Sequence, residues 1–201
     1  MPYTHMWRRA PELSREGFKR AVEDIRILLD RASEMGLRIA GPTGHGKPEI
    51  TPNTIAFNGD RECGHRFFDF GEPWPTGEAE GVSNDNPTAP EPYWSGEHLT
   101  TRHCHGGSCA QGPFVIDRLF IERHWTRREE KGYFCKCETQ FKPYDLIVTA
   151  ALIRLKEHLN DEIFLNSDGR EQAFEDAKRL CRELFGWPRY FELEPQESEV
   201  V

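Results

Sequence analysis

What this sequence lacks narrows it first. No stretch approaches the roughly 20 consecutive apolar residues that a membrane-spanning helix needs. With hydrophobic residues at 37%, the chain has to concentrate its burial in a few elements. The opening residues Met1 to Arg9 hold Trp7 and two arginines but no apolar block of the kind that drives export, so the expected location is the cytoplasm. An excess of positive charge is missing too. At a net charge of -8 the chain is not expected to present a general nucleic-acid surface, because phosphate binding is driven by clustered Lys and Arg. One local exception, residues 118 to 131, gathers Arg118, Arg123, His124, Arg127, Arg128 and Lys131. Glu122, Glu129 and Glu130 are interleaved there and dilute the field, which favours a solvated strand end and turn. No internal repeat is visible.

What is present suits one domain spanning residues 1–201, a length that can bury a single core. The firmest element is a helix over residues 146–159, apolar on most of its circumference, with only Asp145, Thr149 and Lys156 on a thin polar stripe. Pro143 suits its first turn and Asp145 its positive dipole end. A second helix follows from Phe18, Ala21, Val22, Ile25, Leu28, Leu29 and Ala32 recurring at three and four, and Gly36 stops it. A third carries Ala173, Phe174, Ala177, Leu180, Cys181 and Leu184 on one face, with Asp168 and Glu171 at capping-box spacing; Cys181 there reads as a small buried side chain. Strands are expected at 37–40, 54–57, 66–70, 114–121, 133–137 and 162–166, with weaker candidates at 3–9 and 190–193, and Asn58-Gly59-Asp60 is expected to turn the chain. The order predicts an α+β fold, a mostly antiparallel sheet with three helices packed on it. Residues 194–201 form an acidic tail, expected to fray. The loop Gly41 to Pro48 formally matches a phosphate-cradling pattern, but Pro48 stands where that motif needs Ser or Thr, and a helix cannot readily start there.

Residues 71–113 change character, with six prolines, seven glycines and few aliphatics. A structureless connection of that length is functional, disordered or tied down by something other than a core. Six cysteines without an export signal point to thiols or metal ligands rather than disulfides. The densest soft ligands are His98 and the run His103-Cys104-His105 to Cys109. Zinc prefers four N or S ligands, and the set expected is Cys104 and Cys109 from the loop with Cys135 and Cys137 from the following strand. A period of two points Cys135 and Cys137 to one face. His103, His105 or Cys63 can substitute.

A second constellation comprises Asn58, Asp60, Cys137, Thr139, Lys142, Tyr144, Asp145, Ser167 and Asp168, all at strand ends or helix starts, where backbone N–H groups converge on anions. Within it Cys137, Lys142 and Asp145 are the candidate catalytic residues: Lys142 near a helix N-terminus would lower the Cys137 pKa, with His65 or His158 as base. Each has a plainer reading as a cap, a turn or a core-edge group. Trp74, Tyr93 and Trp94 in the insertion could anchor a protein partner instead.

The segments Ile-Ala-Phe-Asn-Gly-Asp at 55–60, Lys-Pro-Tyr-Asp at 142–145 with Val-Thr-Ala at 148–150, and Ser-Asp-Gly at 167–169 resemble a group of uncharacterised proteins of actinobacteria and their phages. The resemblance covers roughly half the chain in scattered blocks, and only the Lys-Pro-Tyr-Asp region is specific. Cys135 and the His/Cys-rich loop 98–109 stand outside the pattern, and no activity comes with it. Together these readings predict a small phage or bacterial accessory protein that acts by binding, with a zinc-clamped loop contacting a protein partner. The alternative is a Cys-dependent or metal-dependent hydrolase, or a ligand site, around Cys137, Lys142, Tyr144 and Asp145.

Overall fold

The computed structural model describes residues 3–63, 102, 104, 107–169, 171–186, 191, 193 and 194. Most of the insertion, the candidate strand at 66–70, His65, His98, His103, His105, Trp74, Tyr93, Trp94 and the tail from 195 lie outside them. Among the described residues the fold is α+β, with three α-helices and strands that pair antiparallel in two sheets rather than the single one expected.

The first sheet has the order β6 (Arg128–Glu129), β7 (Gly132–Glu138), β1 (Thr4–Arg9), β8 (Ile163–Ser167). The weakest strand candidate thus lies in its interior, paired on one side with β7 and on the other with β8. Its buried positions are His5, Trp7 and Arg9, so the inward alternation is real but carried by two polar residues. The second sheet is built on β4 (Thr54–Gly59), which pairs with β2 (Ile39–Ala40), β3 (Glu49–Ile50) and β5 (Phe114–Asp117). Asn58 and Gly59 are therefore paired strand residues, not the turn expected of them. No helix follows Lys47, which leads into β3. Trp7, Phe114 and Phe57 join the sheets, with ring centroids 5.4 Å and 5.0 Å apart in succession.

Helix α1 (Arg15–Glu34) buries Phe18, Ala21, Val22, Ile25, Leu28 and Ala32. It ends in a Schellman motif: Leu37 N–H reaches Ala32 O, Gly36 N–H reaches Ser33 O, and Gly36 takes φ 76°. Helix α2 (Asp145–Leu159) packs on α1, β8 and α3 (Glu175–Phe185), which explains its nearly all-round burial. Each fully buried Leu or Ile there contributes roughly 1.5–3 kcal/mol. The expected cap of the last helix does not form. A 3-10 turn, Glu171–Phe174, precedes α3, and the Asp168 carboxylate instead accepts the Thr4 N–H at 3.0 Å. Cys181 is fully buried, as its place on the apolar face implies.

Candidate functional site

The insertion leaves the second sheet after β4 and returns just before β5, so its two ends meet beside Asn58 and Gly59. Three thiols come together there. Cys63 stands at the outgoing end, Cys104 and Cys109 at the returning end, and their sulfurs all lie within 4.8 Å of one another. Cys63 Sγ and Cys104 Sγ are 3.5 Å apart, thiol contact rather than a disulfide. Cys63 and Cys109 are buried and Cys104 is half-buried.

This set corrects the expected one. Cys104 and Cys109 are brought together, but among the described residues their companion is Cys63, while Cys135 and Cys137 belong elsewhere. The two thiols of β7 do share a face of the strand, as the period of two requires; it is the inner face, opposite Trp7 and His5. Cys137 Sγ lies 3.3 Å from the Gly112 carbonyl, 1% exposed, and Cys135 faces the Tyr133 carbonyl.

A short segment, 108–112, carries Cys109 and is docked from three sides. Asn58 pairs with Gln111 in the manner of a strand neighbour: its Nδ2 donates to Gln111 O at 3.0 Å and its Oδ1 accepts Gln111 N–H at 3.1 Å. Lys142 Nζ donates to Ser108 O at 2.8 Å and Ala110 O at 2.9 Å. Tyr144 Oη donates to Gly112 O at 2.7 Å. A Cβ on Gly59 would overlap the Cys109 carbonyl, so the close approach requires glycine there. Lys142 and Tyr144 are aimed by the turn before α2, where Gln140 and Phe141 take φ 52° and 56°. Two successive left-handed residues cost on the order of 1–2 kcal/mol each. Tyr3 offsets this by accepting Thr139 N–H and Gln140 N–H on its carbonyl and stacking on Phe141 at 3.4 Å.

A second constellation lies beneath, wholly buried. His5 Nε2 is 2.6 Å from Asp145 Oδ1, which also accepts Thr139 Oγ1 at 2.5 Å. His5 Nδ1 meets Ser167 Oγ at 3.0 Å. Arg102, from the returning end of the insertion, donates Nε to Asp145 Oδ2 at 2.9 Å, Nη1 to Asp176 Oδ2 at 2.9 Å and Nη2 to Ala173 O at 3.2 Å. Burial pushes the Asp145 carboxyl up, but His5 and Arg102 outweigh it and hold it down at about 2. Burial wins at Asp176, whose carboxyl is raised despite Arg102. Nothing reaches Ser167 or Asp145 from solvent, both being at most 1% exposed.

Among the described residues, the nucleophile expected at Cys137 lacks its activating groups. Burial, then Asp145, push its thiol up, and the Lys142 ammonium that was to lower it is committed to Ser108 and Ala110. His158, a candidate base, pairs instead with Asp24 of α1 at 2.7 Å beside Arg154. Asp60 is held by Arg38 at 2.7 Å. Apart from Asp60 and Asp168, the residues of the sequence constellation do converge, on the insertion's own backbone and on the buried network around His5 and Asp145. Sequence reasoning missed His5, Asp176 and Arg102. An arginine in a Pro/Gly-rich loop gives no periodic signal of burial.

Comparison with protein-family models, with curated proteins and with solved structures finds no match for this chain.

Proposed function

We propose that this protein is a binding module whose insertion is closed at its neck by a zinc ion on Cys63, Cys104 and Cys109, and that the closed insertion presents its surface to a protein partner. The observation that carries this reading is the meeting of three thiols from both ends of one long loop. Soft sulfur donors in that number suit zinc, and the donor set fits an ion in charge as well as in distance. Burial first, and then Cys104 and Cys63 beside it, push the Cys109 thiol up, so a thiolate at Cys109 calls for a cation to compensate it. For the fourth position the sequence offers His103 and His105, on either side of Cys104. The likeness to the actinobacterial and phage group rests largely on the segments that dock residues 108–112, and we assign those segments to holding the neck.

Metal content measured on protein purified without chelator or histidine tag tests the reading. About one zinc per chain is expected. Cys63→Ser, Cys104→Ser and Cys109→Ser should each lose it, whereas Cys135→Ser and Cys137→Ser should keep it. Metal-free wild-type protein, or zinc that follows Cys137, would sink the proposal.

A further inference from the structure

Large apolar side chains exposed among the described residues are few, and most lie in one stretch: Val115, Leu119, Ile121 and Trp125, the last two 64% and 65% exposed. Val115, Ile121 and Trp125 border a cleft of about 500 Å³ between β5 and β7, and no neck thiol lines it. The cleft exists because the two sheets part company. At one end Gly112 N–H donates to Glu138 O at 2.8 Å, and from there β5 and β7 diverge.

The diverging strands leave backbone groups facing the gap. In β5, Arg118 N–H donates to Asn53 O at 2.7 Å, so the antiparallel alternation turns the peptide groups of Val115 and Asp117 away from β4. Arg9 already takes the Asp117 carbonyl from that side. In β7, Phe134 N–H meets Arg127 O and Glu138 O meets Gly112 N–H, so the same alternation turns the peptide groups of Lys136 to the cleft. Two open strand edges thus flank one gap, an arrangement that an added strand completes.

The charges around the gap select the strand. Arg9, Arg123, Arg127 and Lys136 line it, Arg127 being paired with Glu129 at 2.7 Å, against one lining carboxylate, Asp117, whose Oδ1 accepts the Thr54 hydroxyl at 2.7 Å. Arg123 lies over the Trp125 ring at 5.5 Å and Arg127 over Phe134 at 5.2 Å, so cation and aromatic surface are presented together. On a chain of net charge -8 this is a local inversion of sign.

We propose that the cleft between β5 and β7 binds an acidic, extended peptide segment of a partner protein, which adds as a strand along Val115 and Lys136 and seats an apolar side chain against Ile121 and Trp125. The backbone edges favour a peptide over a nucleic acid, which has no strand hydrogen bonds to offer. The site is independent of the zinc reading, since none of its lining residues belongs to the neck.

The probe is a fluorescein-labelled peptide of alternating Glu and Val with one central Phe, titrated into the full chain at low salt and followed by anisotropy. Saturable micromolar binding is expected, weakened about tenfold or more by joint Arg123→Glu and Lys136→Glu. Val115→Pro, which removes one edge amide while keeping the charges, should weaken it comparably with an unchanged circular dichroism spectrum. A peptide with Lys in place of Glu should not bind. Three outcomes overturn the proposal: no saturable binding, equal or tighter binding of an oligo-dT probe that competes with the peptide, or a wild-type dimer in sedimentation that Trp125→Ala disperses. Loss of zinc with peptide binding intact would fail the proposed function and leave this inference standing.

Discussion

Two anchor points of the insertion are held by opposite chemistry. At Arg102 the chain supplies charges of both signs: one guanidinium faces two carboxylates, and His5, Thr139 and Ser167 supply hydrogen bonds around them. At the neck, the described residues bring together three thiols, donors of one kind. A buried network that carries its own counter-charges serves the fold. A cluster of soft donors is one that could hold a metal ion.

The comparison breaks most sharply at Asp145. Asp145→Ala leaves Arg102 and His5 buried without their carboxylate, and the loss should be about 3–5 kcal/mol in urea unfolding; a loss below about 1 kcal/mol would mean that the network is dispensable. Zinc removal is next. Stripping the ion with a chelator should lower stability by up to about 4 kcal/mol, if the ion is present at roughly a thousand times its dissociation constant. The same chelator should leave Cys63→Ser unmoved in differential scanning calorimetry. Acid separates the two regions by pH. The folded pKa of Asp145, about 2, lies below its ordinary value of 3.8, so its contribution is complete above the unfolded pKa and fades as pH falls from about 4 toward 2. That contribution is about 2 kcal/mol. Zinc should leave earlier, at a mildly acidic pH where thiols regain protons, so metal release that coincides with unfolding in a pH titration would contradict the separation. The smallest effect is at Lys142: Lys142→Met removes both bonds to the 108–112 segment at a cost of about 1–3 kcal/mol, and should raise the rate of zinc exchange to a chromogenic chelator.

How much of this was legible in the sequence depended on whether burial was signalled by apolar side chains. The helices were, because α1 and α2 carry their burial in Leu, Ile, Val and Ala at helical spacing. Strand β1 was obscured, because two of its inward positions are His5 and Arg9, whose burial depends on Asp145 and on carbonyls more than a hundred residues away. The thiol set was legible in kind but not in membership. Cys135 and Cys137 have the spacing of a ligand pair, and only the pairing of β7 with β1 reveals that their face is the core. Cys63 stands apart in sequence from the other thiols, and what brings it to them is the return of the chain to β5 alongside β4. In the Lys-Pro-Tyr-Asp segment, Lys142 and Tyr144 grip the backbone of residues 108–112, while Asp145 meets the side chains of His5, Thr139 and Arg102.

Asn58 has a further consequence, concerning how the molecule ages. Asn-Gly is the dipeptide most prone to lose its side-chain amide, because the glycine nitrogen can attack the neighbouring side-chain carbonyl. Here that carbonyl is held by the N–H groups of Gly59 and Gln111, in a paired strand 2% exposed. Deamidation there would replace a donor with a carboxylate facing the Gln111 and Pro42 carbonyls. The docked neck therefore protects the bond that docks it, and a molecule whose neck has opened acquires a chemical clock that a closed one does not run.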